Sequence, residues 1–278
     1  MNKIRNYTTH RSFLLYTTIL CISCTNLKPY FNTFYNAEEY FNKAEKDRLD
    51  NRGDILPQSA IKDYKKVIDK SQMIIDTYPE FKWRKKALLF IIQSHYHLGE
   101  LQKAYSTLDD MENEFGDLVQ IEVAYWTSLI KWKQGKPQPA INGLNDVIKY
   151  ELNSDMKAKV YLSIAEIYFE QEMKLQSMDY LEKGAEIIQI PNEKGQIYYR
   201  IASLSFEDKD YNRAISAYKQ VIKNSQSKKQ IQEGHLKTVQ IYRLKGDFDL
   251  AGNTIKNMLL NEDYKSIFPS LELELAKL

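Results

Sequence analysis

Residues 95–108 read HYHLGELQKAYSTL, and the pattern returns as KWKQGKPQPAINGL at 131–144 and YFEQEMKLQSMDYL at 168–181. It appears twice more, as SFEDKDYNRAISAY at 205–218 and YRLKGDFDLAGNTI at 242–255. Aligned, these stretches share a turn position at Gly99, Gly135, Glu172, Lys209 and Gly246, spaced by 36, 37, 37 and 37 residues. Five residues later stand Ala104, Ala140, Ser177, Ala214 and Ala251, all small. Leu108, Leu144, Leu181, Tyr218 and Ile255 follow four further on, then Met111, Val147, Gly184, Val221 and Met258 three beyond those. Steps of four and seven lie on one stripe of a helix. A small residue at the head of the stripe lets two antiparallel helices approach closely. Seven before each turn come Ile92, Ser128, Ala165, Ala202 and Val239. A fixed period of this length is the signature of a repeat architecture: one helix, a tight turn, a second helix.

These positions resemble the tetratricopeptide repeat (TPR), with Asp210-Tyr211 and Asp247-Phe248 matching its turn-then-aromatic step. The period is longer than the family's usual value of about 34. Lys131 and Ser205 stand where the family prefers an aromatic residue. A degenerate first repeat precedes the five, with helices expected over Phe34–Leu49 and Pro57–Tyr78 and the stripe Ala60, Tyr64, Val67. Tyr30, Phe34, Ala37, Phe41 and Ala44 form a heptad stripe that packs the first of these helices on the second. Helix 248–261 completes a sixth repeat, and SLELELAKL at 270–278 reads as one further helix whose leucine-rich face needs a partner. The expected fold is all-α: about six repeats and a C-terminal helix, which the resemblance implies wind into a right-handed superhelical solenoid.

Composition agrees. The chain of 278 residues is 43% hydrophobic and 27% charged, with only ten glycines and seven prolines, which favours helices over turn-rich β structure. Of 39 basic residues, Lys3, Arg5 and Arg11 lie in the first 23 positions, where no acidic residue occurs. The remainder carries 36 cations against 37 anions, so it lacks the positive field of a dedicated nucleic-acid binder. The basic run Lys82–Lys86 reads as a solvated face. The two cysteines, Cys21 and Cys24, both lie near the N-terminus, so the body has no disulfide framework, zinc-thiolate site or cysteine nucleophile.

The N-terminus reads as an address. The basic segment MNKIRNYTTHR precedes SFLLYTTILCIS, an apolar run too short for the ~20 residues that span a bilayer. Cys21-Ile22-Ser23-Cys24 resembles the lipobox of bacterial lipoproteins at its last three positions, with Cys21 in place of the usual leucine. That resemblance implies a signal peptide over 1–23, a lipidated Cys24, a tether over 24–33 and the repeat array over 34–278. Acyl chains at about 0.8 kcal/mol per buried methylene would anchor the chain without spanning the membrane. Tyr35 and Tyr40, off the heptad stripe, are the expected interfacial contacts.

Chemistry is sparse. The chain contains no phosphate loop, HExxH or nucleophile elbow. His95 and His97 are two apart, on different faces of a helix, and do not readily share a metal. His235 reads as a packed residue, and pairs such as Glu38-Glu39 read as solvated faces. We expect no enzymatic activity, cofactor, metal or small-molecule substrate. In the tetratricopeptide family the first helices line a groove that holds peptides or partner helices. Transferred onto this chain, three before each turn gives Tyr96, Trp132, Phe169, Phe206 and Arg243; ten before gives Leu89, Tyr125, Leu162, Tyr199 and Leu236. The same side chains could instead pack helix on helix. With the lipid signal, the chain resembles the BamD family of outer-membrane β-barrel assembly lipoproteins, best over IIDTYPEFKWRKKALLFIIQSHYHLGELQKAYSTLDDMENEFGD at 74–117. It also shares features with the SprE/PorW lipoproteins of gliding motility and type nine secretion, and with SusD-type glycan-binding lipoproteins. The first resemblance implies a periplasmic scaffold at the bacterial outer membrane that holds a protein or peptide partner.

Overall fold

A computed structural model of the protein describes residues 32–51, 55–78 and 82–278. Cys24, the expected signal peptide and Tyr30 lie outside them. Among the described residues every regular element is helical, as the repeat pattern predicts. α1 spans 32–50 and α2 Gln58–Thr77; α3 (Arg84–His97) and α4 (Leu101–Phe115) form the second pair. Then come α5 (Gln120–Lys133) with α6 (Pro137–Val147), α7 (Ser154–Glu170) with α8 (Lys174–Ile187), and α9 (Pro191–Glu207) with α10 (Tyr211–Asn224). α11 (Lys228–Lys245), α12 (Phe248–Leu259) and α13 (Phe268–Leu275) complete the order. The chain divides into two compact units, one ending at Gly143 and the other covering Leu144–Leu278.

Each turn residue identified by spacing sits in the left-handed region, with φ of 76° at Gly99, 74° at Gly135, 61° at Glu172, 61° at Lys209 and 82° at Gly246. The residue after the turn donates its backbone N–H five positions back: Glu100 to His95, Lys136 to Lys131, Met173 to Tyr168 and Asp247 to Tyr242, at 2.8–3.0 Å. This Schellman closure satisfies carbonyls that the end of the first helix would otherwise orphan, and it reverses the chain into the second.

Packing follows the stripes. The small residues Ala104, Ala140, Ser177, Ala214 and Ala251 are fully buried, as are the residues seven before each turn. The positions four beyond the small residues are buried in the same way. Ser177 shows how close the helices come: its hydroxyl donates to the Ala165 carbonyl at 2.9 Å, across the pair. In the first unit, Phe34, Ala37, Val67, Ile74, Ala87 and Phe90 form a core joining α1, α2 and α3. The Phe34 ring lies 4.7 Å from Trp83 and Phe41 4.8 Å from Phe90. In the second unit, Ala165, Met178, Leu181, Ile201, Ala202, Ala214 and Tyr218 share one core, and Val239, Ala251, Ile255, Met258 and Leu271 a second. Burying each large apolar side chain contributes about 1.5–3 kcal/mol, so packing between neighbouring helices carries the stability.

Candidate partner-binding face of the first helices

Each first helix presents the residues three and ten before its turn, and the two units treat them differently. In the first unit Tyr96 and Tyr125 are buried, at 6% and 8% exposure. Their rings meet Trp126 edge-on, at 5.5 Å and 5.4 Å. Leu89 and Trp132 are half-buried, and the Lys133 ammonium lies 5.4 Å from the Trp132 ring.

In the second unit Leu162 is half-buried against Gly184, where an added Cβ would lie 2.9 Å from the leucine Cδ2. This explains why a glycine can replace the valine or methionine found at that step of the other repeats. Phe169 is 39% exposed, and the Arg200 guanidinium sits 4.7 Å over its ring. Arg200 also makes a two-pronged ion pair with Glu166. Phe206 is half-buried beneath the Lys237 ammonium at 4.6 Å. Burial pushes the Tyr199 hydroxyl up to about 12, helped by its hydrogen bond to Glu233 and that carboxylate's charge. Tyr199 is therefore neutral and donating near neutral pH. Leu236 packs on the Val239–Met258 core. Arg243 donates to Glu274 of α13 at 3.0 Å.

A further series of residues belongs to this face and escaped the family positions. Nine before the turn stand Trp126, Arg200 and Lys237, each lying against the aromatic side chain three before the turn of the preceding repeat. The signal is in the sequence: Arg200 and Lys237 are cations 37 residues apart, in register with Glu172, Lys209 and Gly246. In the second unit the face offers ring surface held under cations, and Arg200 is answered by the Glu166 carboxylate. A cation over an aromatic face gains about 0.5–1 kcal/mol at an exposed site.

Other polar groups are engaged internally. His95 Nδ1 lies 2.7 Å from Glu100, and His97 Nε2 lies 3.3 Å from Glu45, so different carboxylates hold the two histidines. The His235 ring packs edge-on against Tyr264 at 5.4 Å. No group of three His, Cys, Asp or Glu positioned for a metal occurs among the described residues. In the basic run, Arg84, Lys85 and Lys86 pair with Glu114, Glu122 and Glu38 at 2.5–2.7 Å, and Lys82 lies over Trp83. No helix of the described residues is long and apolar enough to cross a membrane. Tyr35 is well exposed at 65%, while Tyr40 is half-buried with the Lys66 ammonium 4.3 Å from its ring.

Comparison with curated proteins finds no match. Among solved structures, the apo form of RapI superposes with a TM-score of 0.55 at 12% identity, covering 87% of this chain and 69% of that one. Pseudomonas aeruginosa PilF gives 0.49 at 11% identity, covering 86% of this chain and 99% of that one. The TPR-like repeats of a Podosopora anserina kinesin light chain give 0.44 at 13% identity, covering 63% and 92%. The fold is thus a TPR-like helical repeat, a scaffold suited to protein–protein interaction and typically non-catalytic. The family model "Soluble NSF attachment protein, SNAP" matches residues 96–239, just over half of the chain and spanning the repeats from Tyr96 to Val239. The chain belongs to the SNAP family.

Proposed function

We propose that the protein is a lipid-anchored scaffold at the bacterial outer membrane, on its periplasmic side, that holds a protein partner during outer-membrane protein assembly. The anchor rests on the leader and on Ile22-Ser23-Cys24, which make Cys24 the first residue of the mature protein. A tether runs from it to the start of α1, and the array follows. The scaffold role rests on one observation above others: Phe169 and Phe206, at one position of successive first helices, lie under Arg200 and Lys237 on a partly exposed face. Repetition of that unit suits an extended or helical polypeptide. The family's name, attachment protein, describes the same kind of adaptor work.

Two measurements test the proposal. An alkyne fatty acid fed to cells should label the wild-type protein and leave Cys24→Ala unlabelled; equal labelling removes the anchor. Affinity purification from solubilised membranes should recover β-barrel assembly proteins. Recovery of secretion-ring or glycan-transport proteins in their place would contradict the assembly role.

A further inference from the structure

Two successive repeats of the second unit build the same cation-over-ring arrangement, and only one of them supplies a carboxylate to the cation. In the first, Glu166 of α7 meets Arg200 of α9 in a two-pronged ion pair. Arg200 lies over Phe169, three residues after Glu166 on the same helix. One repeat later, Lys237 of α11 lies over Phe206 of α9 in the same way, with its ammonium 4.6 Å from the ring centroid. The residue three before Phe206, in the place of Glu166, is Ser203. Ring and cation are kept, and the acidic group is replaced by a short hydroxyl.

The neighbouring polar groups are engaged elsewhere. The Ser203 hydroxyl donates to the Tyr199 carbonyl at 3.0 Å. Glu233, one turn before Lys237 on α11, accepts from the Tyr199 hydroxyl. Glu207 and Asp208, which follow Phe206, both face Lys174, at 3.7 Å and 3.0 Å. Lys237 forms no ion pair among the described residues. Both Lys237 and Phe206 are half-buried, so the ammonium is partly withdrawn from water and its stem is held against the ring. A cation in that setting gains more from an opposite charge than one in bulk water, and little side-chain freedom is left to lose when it pairs.

We propose that Lys237 and Phe206 form a subsite for an acidic side chain of the polypeptide partner. The partner's Asp or Glu carboxylate takes, at Lys237, the place that Glu166 takes at Arg200, and an apolar neighbour of that residue covers the exposed part of the Phe206 ring. The inference rests on the reading of the Phe169–Phe206 face as the partner-binding face, and it adds which chemistry that face selects. Arg200 is already neutralised within the chain, so Lys237 sets the preference for acid. The body of the chain is close to neutral, which leaves this single cation rather than a general field to make the choice.

A random-peptide library displayed on phage and panned on the immobilised full chain supplies an unbiased probe. Peptides that bind the wild type and are lost on a folded Phe206→Ala variant should be enriched in Asp and Glu over the unselected library. Labelled synthetic copies are then titrated by fluorescence anisotropy. Lys237→Met keeps an apolar stem over the ring and removes the charge, and it should weaken binding about three- to fivefold. Lys237→Arg should retain it. Glu166→Gln, which leaves Arg200 without its carboxylate, should tighten it. Added salt should narrow the gap between wild type and Lys237→Met. Phe206-dependent peptides without acidic enrichment, or with equal affinity for wild type and Lys237→Met, would overturn the proposal and leave the scaffold role standing. If no selected peptide depends on Phe206, the face itself is not the binding surface and both fall. A dimer in sedimentation that Lys237→Met dissolves would overturn the proposal too, because a second copy would then be the occupant.

Discussion

Lys209 holds φ at 61° where Gly99, Gly135 and Gly246 hold 76°, 74° and 82°. A side chain in that region crowds its own backbone, at a cost of roughly 1–2 kcal/mol, while glycine adds some unfolded-state entropy in return. Lys209→Gly should therefore raise the unfolding free energy by about 0.5–1 kcal/mol, read by urea titration at unchanged slope. No gain would mean that the lysine turn is unstrained. Residue-level legibility was uneven for a physical reason. Three turns announce themselves by glycine, whereas Glu172 and Lys209 are turn residues only by register with the others. Gly195 gave no sign at all: an added Cβ there would lie 2.8 Å from the Ser225 backbone nitrogen, a contact between elements 30 residues apart. The sites expected on the first helices separate in the same way. Phe169 is accessible, whereas Tyr96 and Tyr125 are buried, because Trp126 fills in the first unit the place that Arg200 and Lys237 take in the second.

At the scale of elements, α1, α2 and α3 are tied by a polar knot as well as by their apolar core. Glu45 of α1 accepts from Arg48, from the Tyr64 hydroxyl of α2, and faces His97 of α3, whose ring stacks on Tyr64 at 5.4 Å. Burial pushes the His97 imidazole down to about 4; the Glu45 charge opposes this, and Arg48 and Lys133 add to it. The folded state thus holds His97 neutral, while the unfolded chain protonates it near its ordinary value. The stabilising effect is complete above about pH 6.5 and is lost as pH falls toward 4. Between pH 7 and 4 the wild type should lose about 3 kcal/mol more stability than His97→Gln. Parallel pH profiles for the two proteins would sink this reading. The helices themselves were legible almost to their ends, since α1 and α2 were expected at 34–49 and 57–78 and lie at 32–50 and Gln58–Thr77. The knot was not, because its members are spread from Glu45 to His97 and no local pattern links them.

For the whole molecule, the repeat register organises both stability and recognition. Within each unit helices pack on their sequence neighbours, as the Phe34–Phe90 core of the first and the Ala165–Tyr218 core of the second show. In the proposed function, the near-zero charge of the body leaves specificity to local pairs such as Arg200 over Phe169 rather than to a general field. Family membership and fold agree with a scaffold for protein–protein interaction, and in the proposed function the first helices of the second unit touch the partner. Site-specific photo-crosslinking in intact cells tests it most directly. A benzophenone side chain placed at Phe169 or Phe206 should give a discrete adduct with a partner protein, and the same probe at Lys219 on second helix α10 should give none. Adducts from Lys219 with none from Phe169 or Phe206 would contradict the account.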